Sequence, residues 1–244
     1  MTERPVNDTL RLIRAILAPL QERRIVEIGC GRGALLQALA EAGAKVAGID
    51  PDPEALAEAR KTAPTAILRQ AAAERLPFTD AAVQAALFIN SLHHVPENGM
   101  AGALTEAARI VAPGGDIIIV EPLPQGTFFE SMRPIEDETL IRVAAQEAIA
   151  AVLREGPLQL LACTEYDRVE IYPTVSDFID RIVAADPARK DRALEERERV
   201  MKRFFTLAEH VKGGYLLRQP LRLHHLRVPG QDLRPQRVDD RKGG

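Results

Sequence analysis

A short apolar strand that leads directly into a glycine-rich loop constrains this chain more than any other feature. Residues 24–28 read as a buried strand, and residues 29–33 place three glycines within five positions. Glycine tolerates positive φ angles and lets a ligand approach the backbone. Leucines at helical spacing follow in residues 34–42, and a helix N-terminus attracts anions. The segment therefore predicts the first ligand-binding turn of an open α/β sheet.

The same alternation of strand and helix continues along the first half of the chain. Further buried strands are predicted at residues 44–50, 66–69, 84–90 and 116–122, with helices after the glycine loop, near Pro53 and around residues 100–111. Repeated strand–helix units with short loops indicate a parallel sheet covered by helices on both faces.

The pattern becomes irregular after residue 122. We predict, in order, a loop at 123–134, a helix from 135 to about 154, a strand at 165–172, a short helix at 175–185, a long charged helix at 188–211 and a final strand or strand pair at 215–228.

Composition and charge limit the classes of function. The chain has 244 residues, of which 46% are hydrophobic and 27% charged, with a net charge of -3 and a pI of about 6.0. This balance argues against a nucleic-acid partner, whose phosphates favour a basic surplus. The two cysteines form no C-x-x-C pair, and no His, Asp or Glu spacing requires a metal. Without an apolar leader or a spanning segment, we expect a soluble, cytoplasmic protein.

The glycine loop alone fits two classes of cofactor. Gly29, Gly31 and Ala34 also satisfy the G-x-G-x-x-G/A pattern of dinucleotide enzymes. Asp50, at the end of the second strand, stands where an acid binds ribose hydroxyls in either class. At this point a nicotinamide-dependent oxidoreductase remains an alternative.

Four segments in order resemble one family. VEIGCGRG (26–33) resembles the first motif of the class I, Rossmann-like, S-adenosylmethionine-dependent methyltransferases, and GIDPDPEAL resembles their second segment. Residues 71–95 resemble the region around the third and fourth strands in the ubiquinone-biosynthesis-type, or methyltransferase type 11, subgroup, and EAARIVAPGGDIIIVEP resembles the approach to the fifth strand. The resemblance covers about residues 23–122.

The resemblance implies a fold and a domain organisation. The fold is a doubly wound α/β, mostly parallel sheet with an antiparallel final strand, helices on both faces and a helical lid inserted after the fifth strand. We expect one domain at residues 1–228, with the cofactor core at about 23–122, the lid at about 123–212, and a disordered tail at 229–244.

The resemblance also implies roles for single residues toward S-adenosylmethionine. The methionine end and the ribose would contact Glu27, Gly29, Cys30, Gly31, Gly33 and Asn90. The ribose hydroxyls would bind Asp50, and the adenine would lie by Pro51, Ala73 and Glu74. Ala72 departs from the family pattern, which often has an aspartate that binds the adenine amino group, so water or Glu74 would replace that contact.

Candidate residues for chemistry and for acceptor recognition follow the fourth and fifth strands. His94, and less so His93, could act as a base because a histidine pKa suits proton transfer, although either ring could simply order the loop. Phe128 and Phe129 could cover an apolar acceptor, and Arg133 could bind an anionic group. Alternatively the phenylalanines pack against the first helix, and Arg133 pairs with Glu136 or Asp137.

The expected reaction is in-line methyl transfer from S-adenosylmethionine to a small-molecule acceptor, giving S-adenosylhomocysteine, in a monomer or homodimer. The alternatives are methylation of a protein or RNA and a non-catalytic, S-adenosylmethionine-binding regulatory module. The sequence does not identify the acceptor or the atom that receives the methyl group.

Overall fold

The computed structural model describes residues 4–156 and 158–230. The sheet contains β1 (Arg24–Ile28), β2 (Lys45–Asp50), β3 (Ile67–Gln70), β4 (Val83–Ile89), β5 (Val111–Pro122), β6 (Gln159–Tyr172), β7 (Glu209–Val211) and β8 (Gly214–Arg227). The α-helices in the described ranges are α1 (Thr9–Leu17), α2 (Ala34–Glu41), α3 (Pro53–Thr62), α4 (Glu97–Ile110), α5 (Thr127–Met132), α6 (Thr139–Glu155), α7 (Val175–Ala185), α8 (Lys190–Glu195) and α9 (Arg197–Leu207). Short 3-10 turns lie at Leu92–His94 and Pro187–Arg189.

The strand order places the glycine loop at the switch point of the sheet. The order is β3-β2-β1-β4-β5-β8-β6, with β7 paired to the free part of β8. β1 to β5 pair in parallel, whereas β8 runs antiparallel to both β5 and β6. The strands before β4 are added on one side of β1, and β4 and β5 are added on the other, so the strand order switches between β1 and β4, where ligands bind in doubly wound folds. The predicted Rossmann-like fold with an antiparallel final strand is confirmed.

Two apolar layers enclose the sheet because buried side chains alternate along its strands. Ile25 and Leu87 face the layer formed by α1, α2 and α3, while Val26 and Phe88 face α4 and α6. All four of these side chains are buried. The helices thus fix the strand ends from both sides.

A third apolar cluster covers the carboxyl end of β6 and the adjoining amino end of β8. It joins α5, α7 and α9 through side chains that include Phe129, Phe178 and Phe204. By contrast, α6 packs on α4, and β6 belongs to the sheet. The segment predicted as a lid, 123–212, therefore contains elements of the central layers as well as the covering helices, and its boundaries stay a prediction.

Three predicted elements differ from the structure. The predicted loop at 123–134 contains α5, because Phe128, Phe129 and Met132 are buried together on one helical turn. The predicted helix from residue 135 begins only at Thr139, whose backbone N–H donates to Asp137. The predicted helix at 188–211 is divided into a 3-10 turn, α8, α9 and β7, with the break at Glu196. The break lets Phe204 bury against Phe178.

Of the tail predicted at 229–244, residues 231–244 lie outside the described residues. Within 4–156 and 158–230, no helix has both the length and the apolar character needed to cross a bilayer.

Candidate functional site

The glycine loop is bent by close packing on two sides and open on a third. Gly29, Gly31 and Gly33 have φ angles of 76°, 50° and 81°. A Cβ on Gly29 would lie 2.5 Å from the Ser91 Cβ, and one on Gly33 would lie 3.1 Å from Ala59. A Cβ on Gly31 would meet nothing within 4 Å. The open side of the loop, at Gly31, is therefore the side that can receive a ligand.

Asp50 closes this loop from the end of β2. Its buried carboxylate accepts hydrogen bonds from the Gly31 N–H at 2.8 Å and from the Asp52 N–H at 2.9 Å. Gly29 N–H donates to the Ile49 carbonyl at 2.7 Å. An acid at this strand end thus orders the loop and still has lone pairs for further donors.

Glu27, near the end of β1, is a buried carboxyl group with an unused acceptor. Its side chain is only 4% exposed, and its Oε2 has no hydrogen-bond partner among the described residues. Burial raises the pKa of Glu27 to about 8, and the Asp50 carboxylate adds to the rise. A donor or cationic ligand group would satisfy this oxygen.

Cys30 contributes backbone, not its thiol, to the loop. The side chain is buried, and its Sγ lies 2.7 Å from the position that a Cβ on Gly48 would take. Burial raises the pKa of the Cys30 thiol to about 12, with further rises from Glu27 and Asp50. The thiol is therefore a core group.

The segment after β3 lies beside Asp50, as the sequence predicts for an adenine-binding stretch. The Ala71 N–H donates to the Asp50 carbonyl at 3.3 Å. Ala72 is exposed and Ala73 is half-buried, whereas the Glu74 carboxylate packs against Gly99 at the start of α4. Pro51 is exposed, and its carbonyl accepts a bond from the Gln70 side chain.

The end of β4 is tied to both neighbouring strands. Asn90 has a φ of 53° and donates its N–H to the Val120 carbonyl at 2.8 Å. The Ser91 hydroxyl donates to the Ile28 carbonyl at 2.6 Å. These bonds bring Asn90, and the turn after it, to the same sheet edge as the glycine loop.

The two predicted catalytic histidines occupy different environments. His93 is buried and its Nδ1 bonds to the Glu121 carboxylate, which also accepts the N–H groups of Ser91 and Leu92 at 3.0 and 2.8 Å. The His94 ring lies 4.1 Å from the His93 ring, centroid to centroid, and has an edge open to solvent. Desolvation by the surrounding protein, followed by the neighbouring His93, lowers the pKa of His94 to about 4. His94 is therefore neutral near pH 7 with a free lone pair, and its lowered pKa makes it a weaker base than an ordinary histidine.

A cavity of about 120 Å³ opens beside both histidines. It lies between the carboxyl ends of β4 and β5 and the covering helices α5 and α7. Its lining residues are Asn90, His93, His94, Pro122, Phe128, Met132, Glu138, Arg142, Arg168, Arg181, Ile182, Ala185, Arg189 and Gln219. The cavity thus combines apolar walls with several guanidinium groups.

The structure separates the three residues predicted to bind the acceptor. Phe128 lines the cavity, whereas Phe129 is fully buried beneath the Arg142 guanidinium, whose Cζ lies 4.6 Å from its ring centroid. Arg133 is not among the lining residues and pairs with Asp137 at 2.9 Å and Glu130 at 3.3 Å. Arg133 thus forms the alternative ion pair with Asp137, whereas both phenylalanines are buried in the cluster with α7 and α9 and not in the one that contains α1.

The sequence analysis missed the polar residues that shape the cavity. Glu121 had a usable signal, because it is an acid at the end of an apolar strand, like Asp50. Arg168, Arg181 and Arg189 come from β6, α7 and the turn after α7, and no motif joins them. Over the two described ranges, no group of three or more His, Cys, Asp or Glu side chains has an arrangement suited to a metal ion.

Comparison with known sequences places a family domain on the glycine-loop half of the chain. Residues 25–115 match the family described as a methyltransferase domain. An uncharacterized methyltransferase of Mycobacterium tuberculosis is 36% identical over 104 residues, which cover 43% of this chain and 42% of that protein. A ubiquinone biosynthesis O-methyltransferase of Alkalilimnicola ehrlichii is 37% identical over 124 residues, covering 47% and 49%. The chain thus matches about half the length of these relatives.

Comparison with solved structures extends over nearly the whole chain. A candidate methyltransferase of Bacillus halodurans superposes with a TM-score of 0.65 at 20% identity, covering 91% of this chain and all of that one. The [4+2]-cyclase SpnF superposes with a TM-score of 0.61 at 17% identity, covering 94% and 89%. These likenesses establish the fold alone. Residues 25–115 are thus similar to a methyltransferase domain, and the chain as a whole has the fold of these solved structures.

Proposed function

We propose that this chain, whose residues 25–115 carry the methyltransferase domain, transfers a methyl group from S-adenosylmethionine to a small molecule. The observation that carries the proposal is the unpartnered Glu27 carboxyl oxygen beside the loop that Asp50 holds open at Gly31. This pair of acids lies at the switch point of the sheet, next to the cavity lined by Asn90 and His94.

The residues present fit the cofactor. Glu27 would accept hydrogen bonds from the ammonium group of the methionine end, and Asp50 would accept them from the ribose hydroxyls, in both cases with charge assistance. The backbone from Gly29 to Gly33 would lie against the ligand, with room at Gly31. Ala73 would offer its N–H to adenine, while Glu74, turned toward Gly99, would need to move to reach it. The bound cofactor supplies a methyl group activated by its sulfonium.

The acceptor side of the site would position the nucleophile and take its proton. His94 is neutral near pH 7 and lines the cavity, so its lone pair would accept a hydrogen bond from a hydroxyl acceptor and, as a weak base, would take its proton while the methyl group is transferred. His93, fixed by Glu121, would position the His94 ring from below. Pro122 and Phe128 would exclude water from the apolar part of the acceptor.

A small acceptor is favoured over a protein or RNA. The cavity is confined between strand ends and the helices α5 and α7, and the chain carries a net charge of -3. Relatives that match over about half their length include a ubiquinone biosynthesis O-methyltransferase and a demethylmenaquinone methyltransferase of Chlorobaculum parvum. Both names specify small-molecule acceptors.

Cofactor identity is tested by thermal unfolding with S-adenosylmethionine, S-adenosylhomocysteine, NAD and NADP. Ligands that bind only the folded state raise the unfolding temperature by mass action. We expect both adenosyl ligands, and neither dinucleotide, to stabilise the protein. Asp50→Ala should weaken the binding of S-adenosylhomocysteine by ~2 kcal/mol, because charge-assisted hydrogen bonds are lost. Asp8→Ala, which removes the N-cap acceptor of α1, is the control. Absence of stabilisation by either adenosyl ligand would refute the proposal.

Methyl transfer is tested by incubating the protein with methyl-labelled S-adenosylmethionine and a metabolite extract, and separately with total protein and total RNA. Label should enter the small-molecule fraction. His94→Gln should lower that incorporation, while His210→Gln, an exposed residue on β7, should not. Incorporation confined to protein or RNA would contradict a small acceptor.

A further inference from the structure

Four guanidinium groups line the cavity, and they come from four separate elements. Arg142 lies on α6, Arg168 on β6, Arg181 on α7 and Arg189 in the turn after it. The one carboxylate in the lining is Glu138. A cavity with this surplus of positive charge, close to the carboxyl ends of the central strands, selects among possible acceptors by charge.

Two of the four arginines, Arg142 and Arg189, have a structural role in the cavity wall, because their guanidinium groups already form hydrogen bonds with other protein groups. Glu138 accepts from Arg142 Nε at 2.8 Å and from Arg189 Nη2 at 2.6 Å. Arg142 also donates to the Leu123 carbonyl at 3.1 Å, and Arg189 to Glu136 at 2.5 Å. These buried ion pairs fix the cavity shape and leave little charge for a ligand.

Arg168 is held in place with its two terminal nitrogens unused. Its Nε lies 2.7 Å from Glu170 Oε1 without the alignment of a hydrogen bond, and the other Glu170 oxygen accepts the Tyr172 hydroxyl at 2.5 Å. Its Cζ lies 5.9 Å from the centroid of the Phe128 ring. Neither terminal nitrogen donates a hydrogen bond to a residue in the described ranges. The guanidinium is therefore oriented but incompletely bonded.

Arg181 has no protein partner in the part of the chain that the structure describes. It forms neither a hydrogen bond nor an ion pair there, although it lines the cavity with its neighbour Ile182. Arg181 and Arg168 both act on Tyr172: burial and Glu170 raise the pKa of the Tyr172 hydroxyl, and the two guanidinium charges oppose that rise. Both guanidinium charges therefore act on one hydroxyl, and both arginines line the same cavity.

We propose that Arg168 and Arg181 together bind an anionic group, a carboxylate or a phosphate, on the methyl acceptor. This inference rests on the proposed function. Guanidinium groups match such anions because their planar forks donate two parallel hydrogen bonds. Phe128 and Ile182 line the same cavity and contact the apolar body of the acceptor. The acceptor is therefore an amphipathic acid, and Arg133, paired at the surface with Asp137, is not its anchor.

The test uses calorimetric titration of the protein with three small probes at constant ionic strength, with and without S-adenosylhomocysteine. The probes are benzoate, phenyl phosphate and the neutral benzamide. We expect at least one anion to bind about 10-fold tighter than benzamide, which corresponds to about 1.4 kcal/mol. Tighter benzoate identifies a carboxylate acceptor, and tighter phenyl phosphate identifies a phosphate acceptor. Equal or undetectable binding of all three probes overturns the proposal.

Variants assign the effect to the two residues. Arg168→Gln and Arg181→Gln should each weaken binding of the preferred anion about 10-fold, because each removes a charged donor. The affinity for benzamide should not change. Arg168→Lys should recover part of the loss, since it retains the charge. Arg192→Gln, on α8 and paired with Glu195 and Glu196, is the matched control and should bind as the original protein does. Anion binding that survives both glutamine substitutions overturns the assignment.

The cofactor measurement and the anion measurement test the two proposals independently. Binding of S-adenosylhomocysteine without any preference for anions leaves the proposed function intact and removes the anion site. An anion preference without adenosyl binding supports the arginine pair and contradicts the cofactor. Thermal unfolding of each variant checks its fold, and the Arg168→Lys variant keeps the test decisive if Arg168→Gln is unstable.

Discussion

The Glu121 carboxylate at the end of β5 binds the Nδ1 atom of His93, which follows β4, so that the ends of two central strands are joined beside the cavity. The same carboxylate accepts the backbone N–H groups of Ser91 and Leu92. The turn that presents His94 is therefore built on one buried acid.

Replacing Glu121 should destabilise the protein. Glu121→Ala leaves two backbone donors and a buried imidazole unpaired, and we expect the free energy of unfolding to fall by ~3 kcal/mol. Glu121→Gln should cost less because its amide oxygen still accepts a bond. Urea unfolding measures both values. Glu155→Gln, at the exposed end of α6, should change stability by less than ~0.5 kcal/mol. An unaltered midpoint for Glu121→Ala would show that this tie contributes nothing.

Cofactor binding should release a proton from Glu27. The pKa of Glu27 is raised to about 8, so its carboxyl group is mostly protonated at pH 7. A ligand ammonium group would favour the ionised form and lower that pKa. Titration calorimetry of S-adenosylmethionine in two buffers of different ionisation enthalpy, at pH 7, should give a release approaching one proton.

Glu27→Gln supplies the control for this proton. The variant should bind with proton release near zero, because it has no carboxyl group to ionise. The free energy of unfolding of the variant should also lack the pH dependence that Glu27 causes. Folding keeps Glu27 protonated between about pH 4.5 and 8, so stability from this group falls as pH rises through that window. Equal proton release by both proteins would exclude Glu27 as the source.

Two glycines of the loop should respond differently to alanine. Gly29→Ala combines a φ of 76° with a contact of 2.5 Å to the Ser91 side chain, so it should destabilise the fold by more than ~2 kcal/mol. Gly31→Ala meets no protein atom within 4 Å and should cost only ~1 kcal/mol for its backbone conformation.

The Gly31→Ala substitution, which should cost little stability, should weaken ligand binding. Its new methyl group would enter the open side of the loop, so S-adenosylhomocysteine should bind at least ~10-fold more weakly to a protein that still folds. Unfolding and titration measured on the same preparation separate the two effects. Unchanged affinity in Gly31→Ala would place the ligand elsewhere.

Burial of His224 should make stability depend on pH. His224 lies within β8 between β5 and β6, and burial, with Arg222 nearby, lowers its pKa to about 4. The unfolded chain binds a proton below about pH 6.5 that the folded chain does not, so stability rises with pH between about 4 and 6.5. His224→Gln should reduce the rise measured by urea unfolding at pH 4.5 and 6.5, and the part due to His94, whose pKa is also lowered to about 4, should remain. His210→Gln, which is exposed, should leave the rise as it is. A rise of equal size in both variants would mean that other groups cause it.

Sequence reasoning succeeded where the site depends on local backbone. Gly31 and Asp50 are each placed by the strand that precedes them, and the ends of parallel strands meet at one sheet edge. Glu121 was missed although it followed the same rule. Arg133 was linked to an anion because of its position after β5, yet Asp137, four residues away, pairs with it. Nearby opposite charges decide such cases, and sequence spacing alone left both outcomes open.

By itself, the sequence determined the alternation of strands and helices, the glycine loop and the domain family that residues 25–115 match. These features follow from residue spacing along a few dozen positions, which local geometry enforces. Only the tertiary structure decided which side chains meet at the cavity. Arg168 on β6 and Arg181 on α7 converge there because β8 lies between β5 and β6 and α7 folds over the strand ends. Burial and nearby charges then set the protonation state of each titratable group, and both depend on contacts between segments that are distant in the chain.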